Sequence, residues 1–200
     1  EVIELKSTLA RPPALHDAVE YVGSLGFFVV PLHSIRDSGG CTCPARDECS
    51  NPGKHPHGRL ARNGTHDATS RPERINEWFD RRPWLNVGIA TGPSQLVVLD
   101  VDPRNGGLDS LRHLVKVHGP LPRTRVCLTG GGGQHWYYRV WDRQPPEGSA
   151  AFGPGLDVKA RTGLVVAPPS LHATGSRYYW VDSNSRIAPC PEFLAHWDQR

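Results

Sequence analysis

The sequence contains no methionine, not even at position 1, and only four lysines, Lys6, Lys54, Lys116 and Lys159. Without an initiator Met it is expected to be a processed product or a piece of a longer protein. It has no apolar run of the roughly 18 residues that a transmembrane helix needs, which excludes one. Residues 1–10 (EVIELKSTLA) lack a basic n-region and an apolar h-region, so no secretory signal is legible. Internal repeats and low-complexity tracts are absent too. Charge of one sign is scarce: 23 basic against 20 acidic residues leave +3, too mild to establish a polyanionic partner.

What is present fits a globular domain. In 200 residues, 38% are hydrophobic and 22% charged, which argues against disorder and allows a proper core. Apart from the four lysines, the 23 basic residues are arginines. Arg suits bidentate phosphate recognition, although codon usage and solvated surface account for it equally well. Five cysteines fit a disulfide framework poorly. Cys41, Cys43 and Cys49 cluster, whereas Cys127 and Cys190 stand alone. Clustered thiols read as metal binding in a reducing compartment, so a cytosolic location is expected. Cys127 reads as a buried, inert strand residue.

Leu15, Ala18, Val19, Val22 and Leu25 space out an amphipathic helix with Pro12-Pro13 at its entry and Gly26 at its exit. Residues 27–32 (FFVVPL) read as a buried strand. Residues 34–66 carry almost no apolar periodicity, and a loop that long needs a staple. A short helix over 72–82 presents Ile75, Trp78 and Phe79, and strands follow at 86–90 and 96–101. Leu108, Leu111, Leu114 and Val115 mark another helix. Strands are expected at 125–129, 135–140, 156–160, 164–167 and 178–181, with a helical turn over 191–197. The six tryptophans mostly fall on element faces and read as core. Helices early and strands late predict a mixed α+β domain rather than a doubly wound sheet.

Beyond residue 95, four segments carry chemistry. Asp100 and Asp102 close the apolar strand 96–99, and i, i+2 spacing puts both carboxylates on one face. Such a pair either bridges a cation of the Mg²⁺ or Mn²⁺ type or caps the following turn. Gly130–Gly133 precede Gln134 and His135; the run either presents N–H groups to an anion or is a hairpin turn. Asp157 and Lys159 share one strand face, as a metal ion and a phosphate would require. Ser170 and His172 follow the strand 164–167.

In order, these residues resemble the bifunctional primase–polymerase (prim-pol) catalytic domain of the archaeo-eukaryotic primase superfamily, found on plasmids, phages and prophages. The resemblance runs from about Ala14 to Trp197. It is carried by PGKHP, NVGIATG, LVVLDVDPRNGG, LTGGGGQHWYYRV and GPGLDVKARTGLVVAPPSLHATGSRYYW. It implies a primase-like α+β core with flanking helices, acting as a template-dependent DNA primase and polymerase. Asp100, Asp102 and Asp157 would hold two Mg²⁺ or Mn²⁺ ions, and His135 would contact the incoming triphosphate. Gln134, Lys159, Arg161, Ser170 and His172 fall where relatives contact the nucleotide. Relatives often carry an Arg followed by a Gly pair where this chain has Lys159-Ala160-Arg161-Thr162-Gly163, which leaves open which cation meets the phosphates. The partners implied are a DNA template and primer and nucleoside triphosphates, with a helicase often fused downstream. A non-catalytic DNA-binding module of the same fold and a metal-dependent nuclease are the alternatives.

Within the single domain expected over 1–200, residues 34–66 read as an inserted zinc-binding loop. Cys41-x-Cys43-x5-Cys49-x5-His55 supplies three thiolates and an imidazole, a closed tetrahedral set for structural zinc. His57 competes for the fourth position, and three free thiols are the bland alternative. The ion is expected to lie apart from the carboxylates. Lys54, Arg46, Arg59 and Arg62 nearby either grip a template backbone or are solvated charge.

Overall fold

The computed structural model describes residues 13–141, 144–147 and 149–196; Pro12 and Trp197 lie outside the described residues. The fold is mixed α+β, as the order of elements predicted. Helix α1 (Pro13–Gly23) leads into strand β1 (Phe28–Leu32), and α2 (Pro72–Phe79) precedes β2 (Asn86–Ala90) and β3 (Leu96–Val101). Helix α3 (Gly107–His118) is followed by β4 (Val126–Leu128) and β5 (Gln134–Arg139). Then come β6 (Ser149–Ala151), β7 (Leu156–Lys159), β8 (Leu164–Ala167), β9 (Tyr179–Trp180), β10 (Ala188–Pro189) and α4 (Glu192–Ala195). The short strands β6 and β10 carry too few residues for their alternation to be legible.

Two sheets form. The first is antiparallel in the order β1-β2-β8; the second runs β6-β7-β3-β5-β4-β9, with β10 parallel to β5. β3 is the strand on which the second sheet turns. Its Leu96 and Val98 pack with α1, α2 and the first sheet, whereas Val97, Leu99 and Val101 pack with Leu114 of α3 and Leu194 of α4. A strand buried on both faces reads as the unbroken apolar run seen at 96–99. Truncating such a residue to Ala costs about 2–5 kcal/mol.

Helix α3 is rotated from its expected face. Gly107, Ser110 and Leu114 are buried and Leu108 is exposed. Ser110 Oγ donates to Pro154 O at 2.8 Å, so the helix packs on the 153–155 loop rather than by its apolar stripe alone. The tryptophans also depart from expectation: Trp78 is buried, but Trp84 and Trp141 are 56% and 67% exposed. Residues 34–66 contain only 3₁₀ turns, at Arg46–Glu48 and Gly64–Asp67, and isolated bridges from Ile35 to Cys41 and Leu32 to Pro56.

Candidate active site

Antiparallel register sets the first feature. Asp100 of β3 lies directly opposite Asp157 of β7 on one side and His135 of β5 on the other. Directly opposed residues share a sheet face, so the three side chains form one rung. The alternation that sends Leu96 and Val98 into the first core carries Asp100 to the same face, where the two sheets part. A cleft of about 590 Å³ opens there, lined by Asp100, Asp102, His135, Asp157, Lys159 and His172.

Each group has a defined neighbour. Asp100 Oδ1 is 3.6 Å from His135 Nε2, and Asp157 Oδ2 is 3.6 Å from Lys159 Nζ. Asp102 caps the 3₁₀ turn Pro103–Asn105: its Oδ1 accepts from Arg104 N (3.0 Å) and Arg104 Nε (3.2 Å), and its Oδ2 from Asn105 Nδ2 (2.8 Å). Arg104 is the main reason its carboxyl lies below the usual range. The Asp102 backbone is clamped as well, its N–H donating to Gly155 O at 2.8 Å. Gly155 has φ +64, and a Cβ there would sit 2.6 Å from Asp102 O, so the loop that seats the carboxylate requires glycine.

Burial lowers the proton affinity of His135, and the Asp100 carboxylate partly offsets it. Burial lowers that of His172 too, with Lys54 and Arg104 adding to it. His172 Nδ1 lies 3.0 Å from Thr174 Oγ1 and 3.2 Å from Thr174 N, and these contacts fix the orientation of the ring. The glycine run is the β4–β5 hairpin turn. Gly132 N donates to Thr129 O and Gly133 N to Thr129 Oγ1, both at 2.9 Å, so these two amides serve the turn rather than an anion. Gly130 and Gly131 instead make room for His172, whose atoms a Cβ at either position would meet.

The sequence profile of the family described as bifunctional DNA primase/polymerase, N-terminal, matches residues 18–193. The chain belongs to this family. No curated protein sequence matches it. Membership implies DNA primase and polymerase chemistry in general, with DNA and nucleotides as substrates. Among the described residues no helix is long and apolar enough to cross a membrane.

Three of the residues that the primase–polymerase resemblance singled out are not brought to the cleft. Gln134 is on the opposite sheet face, where its Oε1 accepts from Trp136 Nε1 at 2.8 Å. Arg161 pairs with Glu147 beside a separate hollow. Ser170 is buried, and its Oγ accepts from Val87 N at 2.8 Å. Conversely, Asn51, Lys54, Arg104, Asn105, Thr129 and Tyr178 line the cleft. The turn residues Arg104 and Asn105 were within reach of sequence reasoning, since they stand two and three positions after Asp102. Tyr178 was not, as it arrives from the far end of the chain.

The second feature is the cysteine cluster. The ligand atoms of Cys41, Cys43, Cys49 and His55 all lie within 4.8 Å of one another. His55 Nε2 is 3.5 Å from Cys41 Sγ and 3.4 Å from Cys49 Sγ. Burial pushes the Cys49 thiol up to about 11, so packed thiols of this kind do not all ionise without a cation among them. Three sulfurs and one nitrogen fit a metal such as zinc. His57 is outside the cluster and stacks on His33, with ring centroids 4.3 Å apart. Burial, helped by His57 and His55, lowers His33 to about 4. The four ligands are set apart from the cleft, but the turn between Cys49 and His55 is not: Asn51 and Lys54 belong to the cleft wall.

The carboxylates do not form such a closed group. Among the described residues the only other cluster of potential ligands within 4.8 Å is His16, Asp17 and Glu20 of α1, with His16 and Glu20 exposed and Asp17 half-buried. Asp100, Asp102 and Asp157 face one cavity, with Asp102 turned to Arg104.

Proposed function

We propose that the chain is a template-dependent DNA primase and DNA polymerase domain that joins nucleotides by two-metal nucleotidyl transfer, in plasmid, phage or prophage replication. The rung Asp157–Asp100–His135 beside Asp102 carries the reading. Asp100, Asp102 and Asp157 would hold two Mg²⁺ or Mn²⁺ ions, hard cations that oxygen donors suit. The 3.6 Å separations at Asp100 and Asp157 exceed closed hydrogen bonds, so oxygens on both are available to ligate. Asp102 joins them by releasing Arg104.

When bound, the ions would supply activation of a primer 3′-hydroxyl and charge neutralisation on the leaving pyrophosphate. The chain's own side chains position the reactants and stabilise charge. Lys159 sets an ammonium beside Asp157, His172 faces the phosphates from the same cleft, and His135 contacts the triphosphate from the centre of the rung. Residues 34–66 act as an inserted metal loop within one catalytic domain. A cytoplasmic location and a downstream helicase complete the reading.

A second surface supports the DNA partner. Arg59, Arg62, Arg71, Arg74 and His66 line a groove of about 820 Å³ over Trp78 and Phe28. Its one acidic lining residue, Asp67, accepts from Asn63 N at 2.9 Å. Four guanidiniums along one groove suit a phosphate backbone, and we assign the template to it.

The test is incorporation of labelled nucleotides on primed and unprimed templates with Mg²⁺ or Mn²⁺. Template-directed extension is expected. Cleavage without extension would make the protein a nuclease, and binding without either would make it a non-catalytic module.

A further inference from the structure

Between Cys49 and His55 the chain makes a tight turn in which Lys54 N donates to Asn51 O at 3.1 Å. The turn is fixed from several sides. His33 N donates to His55 O at 3.0 Å, and Asn86 Nδ2 of β2 donates to Gly53 O (2.9 Å) and to Leu171 O (2.8 Å). Gly53 has φ +73, and a Cβ there would lie 3.0 Å from Asn86 Nδ2, so the close seat on β2 admits no side chain. The fourth metal ligand, His55, follows Lys54 directly.

The outcome is a lysine at the cleft. Lys54 lines the same cavity as Asp100, Asp157, Lys159 and His172, but on the wall tied to the first sheet. The other cations there have acidic neighbours, Arg104 on Asp102 and Lys159 on Asp157. Among the described residues Lys54 has no carboxylate within ion-pair distance, although its charge is felt at both His135 and His172. An unpaired ammonium at the mouth of a phosphate-handling cleft is complemented by an anion.

We propose that Lys54, beside His172, forms an anion subsite for the phosphates of the incoming nucleoside triphosphate, and that the metal-bound Cys/His turn serves to hold it there. The inference rests on the polymerase reading and adds a nucleotide contact from the metal loop. Its ligand is a polyphosphate; a phosphate of the template strand is the competing source.

The experiment measures binding of a non-hydrolysable deoxynucleoside triphosphate, with Mg²⁺, to the metal-loaded chain by calorimetry. Binding of a labelled oligonucleotide is followed in parallel by anisotropy. Lys54→Ala is expected to weaken the triphosphate about tenfold, as for loss of one charge-assisted contact, with Lys54→Arg recovering most of it. The oligonucleotide affinity should stay unchanged, and extension kinetics should show KM raised more than kcat lowered. Cys49→Ser should release the metal and weaken the triphosphate by the same factor. If that variant does not fold, Lys54→Ala and Lys54→Arg decide alone. A triphosphate Kd for Lys54→Ala within about twofold of wild type, or a loss confined to the oligonucleotide, overturns the assignment while leaving the polymerase reading intact. A wild-type chain that binds no triphosphate sinks both.

Discussion

Asp100 Oδ1 and His135 Nε2 stand 3.6 Å apart on directly opposed positions of neighbouring antiparallel strands. Register alone enforces the pairing. A one-residue slip of β3 would turn Asp100 toward the core under α3 and α4 and leave His135 and Asp157 without it on the cleft face.

Asp100→Asn keeps the shape and removes the charge. Incorporation is expected to fall by at least about 10²–10³-fold, the scale of losing one charge-stabilising group in an active site. The melting temperature should stay within a few degrees, because among the described residues the Asp100 side chain has only the 3.6 Å contact to His135 and no closed hydrogen bond that the amide would break. Extension at the wild-type rate would remove the rung from the mechanism.

Lys159 and Ser170 separate by role. Lys159→Ala should raise KM for the nucleotide, since its ammonium lies in the cleft. Ser170→Ala should leave KM within about twofold yet cost about 1–3 kcal/mol of stability, because Val87 N loses its buried acceptor. Urea unfolding together with steady-state kinetics checks both, and a KM change in Ser170→Ala without destabilisation would reverse the roles.

How much of this was legible follows the range of the contacts. The alternation along 96–101 and 156–159 is local, and it put Asp100 with Asp102, and Asp157 with Lys159, each on one face of its own strand; that the two strands adjoin is a long-range pairing. The cysteine spacing is local too, and Cys41, Cys43, Cys49 and His55 do converge. Ser170 looked functional beside His172, and only its pairing with β2 shows where the hydroxyl is used. The face of α3 depended on Pro154, a residue distant in sequence. Lys54 was visible as a cation near the ligands, but its arrival at the cleft needs the loop to fold back onto Asn86.

The cysteine cluster should hold about one equivalent of zinc, read by elemental analysis of chelator-free protein. Removing the metal should lower the melting temperature and open residues 34–66 to proteolysis, since metal binding contributes directly to folding free energy. Less than about a tenth of an equivalent would refute the site.

Reversing charge in the large groove should weaken DNA alone. Arg62→Glu with Arg71→Glu is expected to lower oligonucleotide affinity about tenfold or more and to reduce the salt dependence by about two ions. Triphosphate affinity should not move. Unchanged DNA binding across a salt series would place the template elsewhere.

The position of β3 between two cores has a consequence in time rather than in space. Amides of Val97 to Leu99, covered on both faces, should exchange with deuterium only when the whole fold opens. The facing wall at 51–54 hangs on a few hydrogen bonds and the Cys/His cluster, with no apolar side chain in the turn beyond Pro52. Its protection should collapse on a far shorter clock, and sooner still once the metal is withdrawn. One side of the cleft thus keeps the slow time of global unfolding, and the other the fast time of a local breath.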